Sequence, residues 1–374
     1  MSSSSHKPRV VQVLYSGLGG HASVVFTIIG ADNSKVWNSF LIFIGIEAVL
    51  PAYQKKADDL GVPFVGIQTK QGQPWLSWGS LYGALRRFSP DVIILHSISS
   101  LIPVLFYSLI HGVRIIAVEH TPFDLRSLTE RAMSAIASMY LKWVVVLTDA
   151  YKKAYLAQSL PFQLKRKIVV IPNGVNVNKF SMGAKKCTGD RWRIGMAARF
   201  TSKKRQDLLI LALVQLVQSY PEVSWEISLA GDGNTIESLR RLASVCGVAD
   251  RVEFVGNLAE AELINWFRTL DLYAHASEGE TLSTSMLQAM AMGLPIVASK
   301  VPGIDSLLGD GVGKLGILVS KNTSEAFANE IFLLYSAPDV RERLGELSRA
   351  EIIHKYSQDA MFQAYNNIVR ESLN

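Results

Sequence analysis

The run with the most side chains able to do chemistry is Ser277-Glu278-Gly279-Glu280-Thr281-Leu282-Ser283-Thr284-Ser285, followed by a helix-compatible stretch, Met286–Met292, and Gly293-Leu294-Pro295. A loop of small residues opening into a helix offers backbone N–H groups and the positive end of the helix dipole. That is a site for an anion, and a diphosphate suits it. Glu280, just upstream, can accept hydrogen bonds from sugar hydroxyls. The same residues also fit ordinary capping: Ser285 and Gln288 have capping-box spacing, and Ser283 is a competent cap. On this loop alone capping is the preferred reading.

Other chemistries find less support. Gly17-Leu18-Gly19-Gly20 follows an apolar run and leads into His21, Ala22 and Ser23; its glycines allow a phosphate or acceptor to approach the backbone closely. The spacing is not G-x-G-x-x-G, which removes support for a dehydrogenase. No G-x-S-x-G elbow is present, and the Cys and Asp/Glu spacings suggest no zinc or calcium loop, so no metal and no cofactor are expected. Two cysteines, Cys187 and Cys246, provide no disulfide framework and fit a reducing cytosol.

These residues need a scaffold, and the hydrophobic pattern supplies one. Short β-rich apolar runs alternate with helical segments, the mark of an α/β fold with parallel sheets. The first half carries predicted strands at Val10–Tyr15, Phe40–Ile44, Pro63–Ile67, Val92–His96, Arg114–Val118, Trp143–Thr148 and Ile168–Ile171, with crossover helices such as Leu81–Phe88 and Leu125–Lys142. From Asn173 to Asp190 the pattern lapses into a polar, Lys-rich linker. A second series follows at Arg193–Ala197, Trp225–Leu229, Val252–Val255, Leu272–Ala276, Ile296–Ser299 and Gly316–Val319. Two doubly wound Rossmann-like domains are therefore expected, 1–182 and 183–355, with a ligand cleft at their strand ends and a final helix, 356–374.

The chain has 374 residues, and its 49% apolar and 19% charged content excludes a disordered or coiled-coil protein. The net charge of +6 is unevenly spread, since residues 1–182 hold 18 basic and 9 acidic side chains and the remainder 20 and 23. An anionic partner is thus expected for the first half only. Lys55-Lys56, Arg86-Arg87, Lys152-Lys153 and Lys165-Arg166-Lys167, with Trp75 and Trp78 nearby, read either as solvated helix faces or as a surface for anionic lipid. Nucleic acid is not expected, because no binding motif for it occurs. No export signal is read in Met1–Tyr15, and Leu101–Ile110, interrupted by Pro103 and Ser108, falls short of the roughly 20 residues of a membrane span. A cytoplasmic location, peripheral on the membrane at most, is the expectation.

The run from Glu280 to Ser299, with Gln288-Ala289-Met290-Ala291-Met292-Gly293-Leu294-Pro295-Ile296-Val297-Ala298-Ser299 at its core, resembles the signature of retaining GT-B glycosyltransferases of family 4. In that signature one Glu is followed, after seven residues, by a second in E-A-M-A-x-G-x-P. Further matches occur in the expected order: Gly17–Gly20, Ile171-Pro172-Asn173-Gly174-Val175, Ala198-Arg199-Phe200 with Lys204, Ala230-Gly231-Asp232-Gly233, and Phe254-Val255-Gly256. They cover most of the chain.

The resemblance implies transfer of a sugar from a nucleotide diphosphate-sugar, UDP-linked first and GDP-mannose next, to an acceptor hydroxyl. The second domain would bind the donor and the first the acceptor, with the last helix crossing back to the first. Arg199 and Lys204 would neutralise the diphosphate as its charge grows, helped by Ser283, Thr284, Ser285, Gly19 and Gly20. Lys203 and Arg205 flank Lys204, leaving that position open by one residue; without the family context, the run is a solvated turn. Glu280 and His120, the latter in Glu119-His120-Thr121-Pro122, would serve at the reacting sugar, with Thr281 and Leu282 beside it. Gln288 stands where the family has a Glu for the ribose hydroxyls, and a neutral amide makes that bond weaker. Gly231, Asp232 and Gly256 would line the nucleotide, and Gly17 and His21 the acceptor loop. His96 is a further, weaker candidate. An acceptor that is lipid-linked or anionic, in glycolipid or cell-surface polysaccharide synthesis, fits the charge pattern. The rival readings are a sugar-nucleotide epimerase, a phosphorylase and a nucleotide-sugar-binding partner subunit of weak activity.

Overall fold

The computed structural model of the chain describes residues 7–17, 20–121, 126–157, 167–181, 183, 191–309 and 313–374. It comprises two compact units, Met1–Gly174 with Gln358–Asn374, and Val175–Ser357.

In the first unit, β1 (Arg9–Tyr15), β2 (Asn38–Gly45), β3 (Phe64–Gln68), β4 (Val92–Leu95), β5 (Arg114–Glu119), β6 (Trp143–Val146) and β7 (Lys167–Val170) form one sheet. Its order is β3-β2-β1-β4-β5-β6-β7, and every pair is parallel. The central strands read as apolar runs, interrupted in β1 by Gln12, because helices cover both faces and leave no side solvated. The closing helix Gln358–Leu373 belongs here: Trp37 Nε1 donates to Asn366 Oδ1 at 3.0 Å, and the Trp37 and Phe362 rings lie 4.9 Å apart.

In the second unit, β8 (Arg191–Ala197), β9 (Ser224–Ala230), β10 (Val252–Gly256), β11 (Leu272–His275), β12 (Ile296–Ser299) and β13 (Ile317–Val319) repeat the plan in the order β10-β9-β8-β11-β12-β13. In each sheet the order reverses beside the first strand, between β1 and β4 and between β8 and β11. The loops there diverge above and below the sheet and open a crevice, the place where such folds take ligands.

Two expectations about boundaries change. The predicted linker from Asn173 is partly structured. Val175 N–H donates to the Tyr356 carbonyl at 2.8 Å, and Phe180 is buried 6.2 Å from the Phe267 ring. Burying those two apolar side chains moves the division from 182/183 to Gly174/Val175, and keeps Tyr356 and Ser357 with the second unit. The helix expected from Leu125 begins at Leu128, because Ser127 and Glu130 form a reciprocal capping box.

Candidate active site

The second unit's candidate residues gather at the ends of β8, β9, β10 and β11 and in the first turns of the helix that follows β11. Adjacent loops are tied by main-chain bonds: Ala198 N–H to Ala230 O at 3.0 Å, Phe200 N–H to Asp232 O at 2.9 Å, and Gly231 N–H to Gly256 O at 2.8 Å. Gly231 has φ +128°, and a Cβ there would collide with the Ala198 carbonyl, so this close approach of loops requires glycine. Asp232 Oδ1 accepts from Gly233 N–H at 2.7 Å.

Of the three adjacent cations, Lys204 is the one that reaches Glu280, with Nζ against Oε2 in a mostly buried pair. Arg205 is held instead by Asp207 at 2.8 Å and Glu278 at 3.4 Å, and Lys203 is exposed. Arg199 is exposed, two residues past the end of β8. Glu280 Oε2 also accepts from His275 Nε2 at 3.1 Å. Burial alone would raise the Glu280 carboxyl. The Lys204 ammonium and the His275 hydrogen bond outweigh burial and hold it at about 2.

The loop carrying Glu280 is itself staked down. Ser277 N–H donates to Ser299 Oγ at 2.9 Å, Glu278 N–H to the Lys203 carbonyl at 2.9 Å, and Asn322 Nδ2 to the Ser277 carbonyl at 3.2 Å. The helix Thr284–Ala291 begins here with Ser283 as its cap, the side chain accepting from Met286 N–H. The Ser285–Gln288 box does not form. Ser285 lies inside the helix, where its hydroxyl donates to the Ala197 carbonyl at 2.7 Å and accepts from Tyr273 at 2.9 Å. Thr281 and Leu282 are buried, while Thr284 and Gln288 are half-buried.

In the first unit, His120 follows β5, His96 follows β4, and His21 sits in the first turn of the helix Gly20–Ala31. The His21 and His120 rings stack at 4.3 Å, and His96 Nδ1 is 2.9 Å from His120 Nε2. Burial pushes His21 down to about 4 and His96 to about 3, and His120 well below the ordinary range, so all three rings are neutral. Glu119 pairs with Arg126 at 2.8 Å, both buried. Gly17 and Gly20 border the β1 loop, whereas Gly19, Pro122, Lys165, Arg166 and Cys187 lie outside the described residues.

Sequence reasoning missed His275, Tyr273 and Gly303. The signal for the first two was present: polar side chains in a strand otherwise buried on both faces. Gly303 opens the helix Pro302–Leu308, and a Cβ on it would strike the carbonyls of Glu280 and Thr281. Among the described residues, no cluster of three or more His, Cys, Asp or Glu could hold a metal, and no helix is long and apolar enough to cross a membrane.

Comparison with known proteins agrees with this layout. The family described as "Glycosyl transferases group 1" matches residues 191–337, and "Glycosyltransferase Family 4" matches residues 46–179. A D-inositol 3-phosphate glycosyltransferase of Corynebacterium jeikeium is 27% identical over 54% of this chain and 52% of its own length. Another, from Segniliparus rotundus, is 30% identical over 50% of this chain and 43% of its own length. The chain thus spans about half the length of the curated relatives it matches. Among solved structures, HepE of Anabaena, in complex with UDP and glucose, superposes with a TM-score of 0.83 at 19% identity, covering 97% of this chain and 99% of HepE. Sucrose-phosphate synthase from Thermosynechococcus elongatus gives 0.80 at 16% identity, covering 97% and 98%. With matching models over both units and the shared two-sheet fold, the chain belongs to the GT-B glycosyltransferases of family 4, the glycosyl transferases group 1.

Proposed function

We propose that the chain is a retaining hexosyltransferase that moves a sugar from a nucleotide diphosphate-sugar, a UDP-sugar first and GDP-mannose next, to an acceptor hydroxyl. The observation that carries this is the Lys204–Glu280–His275 cluster beside the cap of the helix Thr284–Ala291. A lysine ammonium beside a carboxylate held ionised is a pairing that suits a diphosphate and sugar hydroxyls. HepE, whose fold this chain shares, is known in complex with UDP-glucose.

In this reading Arg199, Lys204 and the N–H groups of Thr284 and Ser285 take the diphosphate, with the Gly231, Asp232 and Gly256 loops along the nucleotide and Gln288 at the ribose. Glu280 orients the sugar and His120 meets a hydroxyl. The bond from the anomeric carbon to the diphosphate breaks while the acceptor oxygen bonds to that carbon on the same face. The acceptor's proton passes to the departing diphosphate oxygen, so no separate base and no metal is needed. Arg199 and Lys204 act on charge that grows as that bond breaks, where a cation contributes most.

Incubating the chain with a panel of UDP-, GDP- and ADP-sugars and candidate acceptors, and measuring released nucleotide, tests this. Acceptor-dependent release lost in Glu280→Ala is expected. A wild type as inactive as Glu280→Ala with every pair overturns it. Gln288 favours the second reading, a nucleotide-sugar-binding subunit of weak activity; turnover that rises at least tenfold in Gln288→Glu is its signature.

The acceptor is lipid-linked or anionic, and the first unit rests on an anionic membrane face in glycolipid or cell-surface polysaccharide synthesis. Trp75, Leu76, Trp78, Phe106, Leu109 and Ile110 are all exposed; Trp78 shares its helix, Trp78–Phe88, with Arg86 and Arg87, and the helix Leu101–His111, which carries the last three, packs against it. Exposed aromatic and aliphatic side chains beside cations suit a headgroup boundary. Salt-sensitive co-sedimentation with anionic vesicles is expected; absence of binding at low salt removes this part.

A further inference from the structure

A buried polar file runs behind His120. Gln12 lies in the middle of β1 and is fully buried. Its Oε1 is 3.0 Å from His96 Nε2, and His96 Nδ1 is 2.9 Å from His120 Nε2. The sheet register explains the alignment. Gln12 pairs with Ile94 and Ile94 with Ile116, so His96, two residues on, and His120, four residues on, share that face of the sheet. The file steps diagonally from the core toward the strand ends.

Its chemistry has a direction. A carbonyl oxygen only accepts, so the proton in the first bond is on His96 Nε2. A neutral His96 then has a bare lone pair on Nδ1, and the proton in the second bond is on His120 Nε2. We propose that Gln12 and His96 are positioning residues that fix His120 as the Nε2-protonated tautomer, so that toward a substrate hydroxyl its Nδ1 can only accept. The encounter with substrate rests on the transferase reading above; the tautomer does not.

Two observations support a specific role over simple packing. Burial holds His96 at about 3 and His120 far below the usual imidazole range, so neither ring takes a second proton that would reverse the file. The Gln12 amide Nε2 is buried with no hydrogen-bond partner among the described residues. An aliphatic side chain would fill the site without that penalty, which makes the carbonyl the useful part of Gln12. His96 is itself buried, and both its ring nitrogens are taken up by Gln12 and His120, so its part is to position His120.

Long-range proton–nitrogen spectra of the full chain labelled with 15N-histidine test the proposal directly. Both His96 and His120 should show a protonated Nε2 and a bare Nδ1, unchanged from about pH 5.5 to 8. In Gln12→Leu and His96→Leu the His120 signals should become a mixture of tautomers. With an active donor and acceptor pair, kcat should fall roughly 10- to 100-fold while donor KM moves by less than about threefold. His96→Asn should restore the single tautomer and most of kcat, because its Oδ1 can stand where Nδ1 stood. A proton on His120 Nδ1 in the wild type overturns the proposal. So does a His120 tautomer unchanged in folded His96→Leu, or a folded His96→Asn no better than His96→Leu. If the wild type transfers no sugar, the functional reading fails while the spectra still decide the tautomer.

Discussion

Replacing Glu280 by Gln keeps the shape of the loop and removes one charge from a cluster of three. The carboxyl is held at about 2, against 4.5 for an unperturbed Glu, and it is mostly buried. A depressed carboxylate contributes stability that is complete above its unfolded pKa and is lost as pH falls through the folded one. At about 1.36 kcal/mol per pKa unit the full contribution is about 3 kcal/mol, of which about 2 kcal/mol is gone by about pH 3. Urea unfolding of wild type and Glu280→Gln in parallel, from about pH 7 down to 3, isolates this amount, because every other titrating group appears in both proteins. At neutral pH the variant should be less stable by about 1–3 kcal/mol, having lost charge-assisted bonds to Lys204 and His275. Going down in pH, the wild type should converge on the variant. An offset that stays constant across the range refutes the paired, ionised Glu280. So does a variant more stable than wild type at pH 7.

Three more outcomes follow from the same geometry. Lys204 must leave Glu280 to meet a diphosphate, so Glu280→Gln should bind UDP several-fold more tightly by calorimetry while transfer collapses; weaker UDP binding refutes the competition. Gly303→Ala forces a Cβ against the Glu280 and Thr281 carbonyls, so thermal unfolding should show a loss of about 1–3 kcal/mol and donor KM should rise at least about tenfold; an unchanged KM refutes the support role. Burial lowers the pKa of His21, His96, His120 and His275, so the unfolded chain binds protons the folded one refuses. Stability should therefore be full above about pH 6.5 and fall steadily as pH drops below it; a flat profile between about pH 7 and 5 would show that these rings are not buried neutral.

How much of this was legible beforehand depended on the range of the interaction. The thirteen strands expected from the apolar runs are found, within a few residues, among the described residues, because a strand covered on both faces needs a largely apolar stretch and a glycine or polar residue to end it. The loops at the ends of β8 to β11 were legible for the same reason, as breaks in that pattern with small and polar residues. Within reach of one turn of helix, the sequence left a choice it could not make. Ser283 and Ser285 can both cap, and the cap is Ser283 because Ser285 is taken by the Ala197 carbonyl, 88 residues away.

Everything that depended on strand order came from the tertiary structure. Lys204 stands out from Lys203 and Arg205 because the reversal of order between β8 and β11 brings the β8 loop against Glu280, 76 residues on. His275, Gln12 and His96 show in the sequence only as polar side chains inside apolar strands, with nothing to name their partners. A strand's pattern has period two and records which face each side chain takes. It carries no record of the neighbouring strand, and it is the neighbour that turns an isolated histidine into one member of a hydrogen-bonded file.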